Sequence, residues 1–78
     1  MQNGHERVRQ ATLKALERQI LQLLATGLGT AEISECVGVP IDEVRASLRR
    51  ILTKLGAQSR LEALIIAIRE GLIELPPE

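Results

Sequence analysis

The sequence predicts an all-α fold, a four-helix bundle containing a helix-turn-helix, from three observations. Apolar residues recur at three- and four-residue steps from Leu13 to Leu72, the period of a helix with one buried face. Aromatic residues are absent, and the remaining palette of Leu, Ile, Val and Ala suits packed helices better than sheets. Glycines fall at the ends of the periodic segments, at Gly27, Gly38, Gly56 and Gly71, where a helix C-terminus often needs a left-handed residue. The 78 residues allow one domain, and a chain this short buries only about 60–65% of its unfolded surface.

Residues 1–12 show no sustained apolar period and read as a flexible arm or the end of a linker. Residues 13–73 form the domain, and 74–78 a tail in which Pro76 and Pro77 forbid further helix. The first helix carries Leu13, Leu16, Ile20, Leu23 and Leu24 on one face and ends at Gly27. Gly29 and Thr30 open a short second helix with Ile33 and Val37 inward and Glu32 and Glu35 outside. Gly38-Val39-Pro40 then stops one helix, turns the chain and starts the next, since proline is tolerated in a first helical turn. The third helix runs from about Ile41 to Leu55, with Ile41, Val44, Leu48, Ile51 and Leu55 on its stripe. A fourth begins near Ser59 or Arg60, where Ser59 and Glu62 have the spacing of a capping box, and reaches about Glu70. Its inward stripe reads as Leu61, Leu64, Ile65, Ile68 and Leu72, with Ala63, Ile66 and Ala67 on the other side.

Charge is distributed unevenly along this chain. The formal net charge is zero, yet residues 45–60 hold Arg45, Arg49, Arg50, Lys54 and Arg60 without one acid. Such a patch is the electrostatic footprint of phosphate binding. On a wheel of about 100° per residue, Arg45, Ala46, Arg49, Arg50 and Thr53 lie opposite the apolar stripe of the third helix. The major groove of DNA admits one α-helix, whose outward face needs long hydrogen-bond donors with nothing bulky between them. Arg45, Ala46, Arg49 and Arg50 meet that requirement as groove residues, and Lys54 flanks them where phosphates would run. A basic helix face that is merely solvated is the simpler alternative.

Several function classes find no support in these residues. No nucleophile, base and acid cluster occurs and no glycine-rich phosphate loop, so neither an enzyme nor a cofactor is expected. Cys36 is alone, which rules out an internal disulfide and argues for packing late in the second helix; His5 stands in the arm without a partner, and no metal site is expected. The longest apolar run, Ala63 to Ile68, is far short of a membrane span, and residues 1–10 are polar rather than signal-like. A cytoplasmic protein with no membrane partner is the expectation.

A family resemblance adds to this reading over residues 13–73. Leu13 with Glu17 to Leu21, Leu24-Ala25-Thr26-Gly27, Glu32-Ile33, Val44-Arg45, Ile51-Leu52, Lys54-Leu55-Gly56, Ser59-Arg60 and Glu62-Ala63 resemble the LuxR-type helix-turn-helix domain of the FixJ and NarL family. The stretch from Lys54 to Leu64, KLGAQSRLEAL, carries the resemblance most specifically. It implies a DNA-binding domain of a bacterial transcription regulator, of the response-regulator type, acting as a dimer on double-stranded DNA. The third helix would read the groove, the second would touch the backbone near Thr30, and Ser47 and Lys54 would add backbone contacts. The fourth would pair two copies, with Ala63, Ile66 and Ala67 as the seam. A fused or separate receiver or sensor domain is a further implied partner.

The chain departs from the family pattern at places that bear on binding. Lys14-Ala15-Leu16 replaces the usual threonine cap of the first helix, for which Thr12 is the substitute nearest in sequence. Thr30-Ala31 replaces an Asn-Lys pair, Pro40 the serine cap of the third helix, Glu43 a threonine and Ser47 a histidine. Proline has neither a capping oxygen nor an N–H, and a carboxylate at Glu43 beside DNA would repel phosphate. These losses leave a second reading open, a helix-turn-helix-derived protein-interaction or dimerisation module with weakened or lost DNA binding.

Overall fold

The structure, a computed structural model, describes residues 13–74; the arm, with His5 and Thr12, and residues 75–78 lie outside the described residues. Four helices follow one another without a strand among these residues: α1 (Ala15–Ala25), α2 (Thr30–Val37), α3 (Ile41–Leu55) and α4 (Arg60–Arg69).

Helix α1 begins after Lys14, whose backbone N–H donates to Glu17 Oε1 at 3.0 Å. The side chain of the third helical residue thus supplies the cap that the threonine would otherwise give. Leu13 precedes the helix but is buried. The buried face differs from the expected stripe: Ile20 and Leu21 are fully buried and Glu17 joins them, while Leu16, Leu23 and Leu24 pack at its margins. The reason is that α1 touches α2, α3 and α4, so its buried arc is wider than a stripe facing one neighbour.

Helix α2 starts at a second cap of the same kind, the Gly29 N–H donating to Glu32 Oε1 at 2.9 Å. Ile33 is fully buried, Val37 partly so, and Glu32 and Glu35 face solvent as expected. Cys36 is exposed, against the expectation that it packs. It stands three residues past the buried Ile33, yet α2 is only eight residues long and its buried side lies elsewhere.

The turn from α2 to α3 is held from both sides. Gly38 adopts φ +75° and its N–H donates to the Ser34 carbonyl at 2.9 Å, a conformation costly for any residue with a Cβ. The Ser34 hydroxyl reaches past it to the Val39 carbonyl at 2.5 Å. Pro40 caps α3 in extended conformation (φ −60°, ψ 151°), and its carbonyl receives the N–H groups of Glu43 at 2.9 Å and Val44 at 3.2 Å. A proline at this position therefore closes the first turn through its oxygen although it lacks a capping side chain.

Val44, Leu48, Ile51 and Leu55 of α3 form the centre of the core with Ile20, Leu21 and Ile33. Burying each such aliphatic side chain contributes about 1.5–3 kcal/mol. Before α4, the Ser59 hydroxyl accepts from the Glu62 N–H at 3.0 Å, and Glu62 Oε1 accepts from Gln58 N–H at 2.6 Å, so the reciprocal bond falls one residue early.

Helix α4 packs through a face rotated from the one expected: of the expected stripe, Leu64 and Leu72 do pack against the core, but the other three members do not. Ala63 and Ala67 are 1% and 0% exposed and Ile66 packs against the core, whereas Leu61, Ile65 and Ile68 are 69%, 46% and 36% exposed. Small side chains let α4 approach α1 and α3 closely, and the bulkier leucine and isoleucines are left outside. Beyond α4, Ile73 is buried and Glu74 is pinned to α1: its carbonyl accepts from Gln22 Nε2 at 2.7 Å and its N–H donates to Gln22 Oε1 at 3.2 Å. Glu74, assigned to the tail from the sequence, is thus held against α1.

Candidate nucleic-acid interface

The outward face of α3 is built by the turn that presents it. Because Val44, Leu48, Ile51 and Leu55 are committed to the core, helical periodicity turns Arg45, Arg49 and Thr53 to solvent. Arg45 lies 3.6 Å from Asp42, with side chains 54% and 91% exposed, a pair that water screens almost fully. Arg49 is exposed and has no carboxylate partner among the described residues. Ala46, half-buried, sits between the two arginines. Arg49 also lines a shallow cleft with Arg50, Thr53 and Lys54, and the Thr53 hydroxyl donates back to the Arg49 carbonyl at 3.1 Å. Thr30, half-buried, is the first residue of α2.

Three residues expected at the interface point elsewhere. Ser47 is fully buried and cannot meet a phosphate. Its hydroxyl accepts from Arg50 Nη2 at 2.9 Å and lies 3.3 Å from Glu43 Oε2. Arg50 Nη2 is also 2.9 Å from Glu43 Oε2, and Arg50 Nε is 3.3 Å from Glu17 Oε2. Lys54 Nζ donates to Glu17 Oε1 at 2.7 Å. Both cations thus bend back toward α1, because Glu17, 1% exposed, must be neutralised where it is buried.

Glu17 is the residue that sequence reading missed in this role. Burial alone would push its carboxyl up; the hydrogen bond from Lys54, the Lys14 N–H and the Arg50 guanidinium outweigh that and hold it below the ordinary carboxylate value. Arg50 is driven the opposite way, first by Glu43 and then by Glu17, which favour its charged form. The available signal was an acid four residues after Leu13 in an otherwise apolar face, but its partners stand 33 and 37 residues away. Glu43, a carboxylate that would repel phosphate if it stood beside DNA, is partnered by Arg50.

Ala63, Ile66 and Ala67, the expected dimer seam, do not form an exposed surface, since the alanines are core residues. The exposed apolar stripe of α4 is Leu61, Ile65 and Ile68, at helical spacing. Among the described residues no three His, Cys, Asp or Glu side chains gather to hold a metal ion, and no helix is long and apolar enough to cross a membrane.

With the geometry established, comparison with known proteins gives a consistent result. Residues 11–67 match the family model GerE, "Bacterial regulatory proteins, luxR family". The chain is 38% identical over 58 residues to the uncharacterized transcriptional regulatory protein YxjL of Bacillus subtilis, covering 74% of this chain and 27% of that protein. It is 39% identical over 62 residues to the oxygen regulatory protein NreC of Staphylococcus aureus, covering 80% of this chain and 29% of that one. The chain thus spans less than a third of the length of these curated relatives. Among solved structures, that of the transcription factor GerE superposes with a TM-score of 0.79 at 31% identity, over 82% of this chain and 96% of that one. A four-helix order without strands, a tight turn before α3 and these matches agree: the chain belongs to the luxR family of bacterial regulatory proteins, as a helix-turn-helix DNA-binding domain of a transcription regulator.

Proposed function

We propose that the domain binds double-stranded DNA as a homodimer, with α3 in the major groove and Arg45, Ala46 and Arg49 facing base edges. The observation that carries this reading is the pair of exposed arginines one helical turn apart, flanking a small residue on the helix that the Gly38 turn presents. Long donors at that spacing match the guanine edge, and the alanine lets the helix approach the bases. Thr30 at the start of α2 supplies a backbone contact, helped by the positive end of that helix. The exposed stripe of Leu61, Ile65 and Ile68 packs against its own copy, giving the two-fold symmetry that a palindromic operator requires. A receiver or sensor domain, fused or separate, controls that pairing, and the protein works in the bacterial cytoplasm without catalysing a reaction.

Arg49→Ala tests the groove assignment. Titration of a selected operator should show specific affinity weaker by about 1–3 kcal/mol, with the circular dichroism spectrum unchanged because Arg49 makes no core contact. Unchanged operator affinity in a folded variant would exclude Arg49 from the groove. A parent domain that binds no duplex even at about 50 mM salt, where nonspecific binding is strong, would instead favour a protein-interaction role for the same fold.

A further inference from the structure

Glu43 and Ser47, two positions where the chain departs from the family pattern, meet at one side chain, Arg50. The Arg50 guanidinium is anchored by Nε on the buried Glu17 at 3.3 Å, while its Nη2 is taken by Glu43 Oε2 and the Ser47 hydroxyl, each at 2.9 Å. Arg50 and Glu43 both have side chains 44% exposed, so the pair is open to solvent rather than sealed in the core. Arg50 also shares its cleft with Arg49, Thr53 and Lys54, next to the face assigned above to DNA.

We propose that Glu43 sets the affinity of the DNA-binding face through Arg50: by pairing with the guanidinium it withholds one cation from the phosphate backbone. Phosphate contacts strengthen binding to every sequence alike, whereas base contacts discriminate. Holding one arginine in an internal pair therefore lowers affinity for every duplex alike by one phosphate contact, while Arg45, Ala46 and Arg49 keep their outward positions. The inference rests on the DNA-binding reading. A half-exposed pair of this kind is a modest restraint, which suits a residue that tunes affinity and is not required for the fold.

A double-mutant cycle with Glu43→Ala, Arg50→Ala and the double variant tests this on the whole 78-residue chain. Each is titrated against a random duplex and a selected operator over a range of salt, with circular dichroism confirming the fold. Glu43→Ala should raise affinity for random duplex by roughly two- to fivefold at low salt, the scale of a half-exposed pair. The slope of log affinity against log salt should steepen by about 0.9 per bound copy, one added phosphate contact. Operator affinity should rise by the same factor, leaving the operator-to-random ratio unchanged. In the Arg50→Ala background the same substitution should lose most of that gain, because the cation it releases is gone. A gain of full size in that background would overturn the proposal, since Glu43 would then act as a bare charge repelling DNA. An unchanged slope would overturn it as well. Were the parent to bind no duplex in any salt, the DNA-binding reading itself would fail and the proposal with it, a result distinct from both others.

Discussion

A carboxylate inside a cluster of leucine and isoleucine is costly unless it is partnered, and Glu17 has three partners: the Lys14 N–H, Lys54 and Arg50. Because they hold its native pKa below the ordinary value, the unfolded chain takes up the proton first as the solution is acidified. Stability from this residue is therefore fully present above its unfolded pKa of about 4.3 and declines as pH falls through and below that value. Glu17→Gln should lower stability at neutral pH by about 1.5–3 kcal/mol, the scale of hydrogen bonds to a charged group. The deficit relative to the parent should shrink as pH falls toward about 3. Urea unfolding of both proteins across that range checks the sign; a deficit constant with pH would show that charge is not what Glu17 contributes. Only the apolar setting of Glu17 was legible in the sequence; its partners, 33 and 37 residues away, were not, and the basic block appears there wholly available to DNA. The block was a true feature, but a linear charge count cannot reveal that Arg50 and Lys54 are folded back across to α1.

At the scale of elements, legibility depended on how many neighbours a helix has. Helix α3 was read with the same limits the structure gives, Ile41 to Leu55, because its stripe is long and glycine and proline bracket it. Its outward arginines Arg45 and Arg49 were legible for the same reason. On helix α4, Leu64 and Leu72 were read correctly as inward while Leu61, Ile65 and Ile68 were not, since both faces are apolar and hydrophobicity alone does not tell whether a core contact prefers alanine or isoleucine. Close helix packing decided it, drawing in Ala63 and Ala67. The proposed pairing therefore uses Leu61, Ile65 and Ile68. Ile65→Glu should leave the helix content intact and weaken self-association at least about tenfold, equivalent to about 1.4 kcal/mol, because the new charge faces its own copy across the two-fold axis. Sedimentation of parent and variant over a concentration series measures this. Equal association of the two would place the dimer contact elsewhere or remove it.

For the molecule as a whole, the core and the outward face of α3 follow from one geometric constraint. Val44, Leu48 and Ile51 fix the rotation of α3, the Gly38 turn with its Ser34 strap fixes how α3 leaves α2, and the Glu17 ion pairs tie α3 to α1. The arginines of α3 that are exposed and not tied to α1 are Arg45 and Arg49, with the half-buried Ala46 between them, a surface narrower than the basic block in the sequence. The most direct test of the account is amide chemical-shift mapping of the isotopically labelled domain titrated with duplex DNA. The account predicts the largest perturbations at Arg45, Ala46 and Arg49, weaker ones around Thr30, and all of them diminishing as salt is raised from about 50 to about 200 mM. Perturbations centred on Leu61, Ile65 and Ile68 with α3 unaffected, or none at low salt, would contradict it.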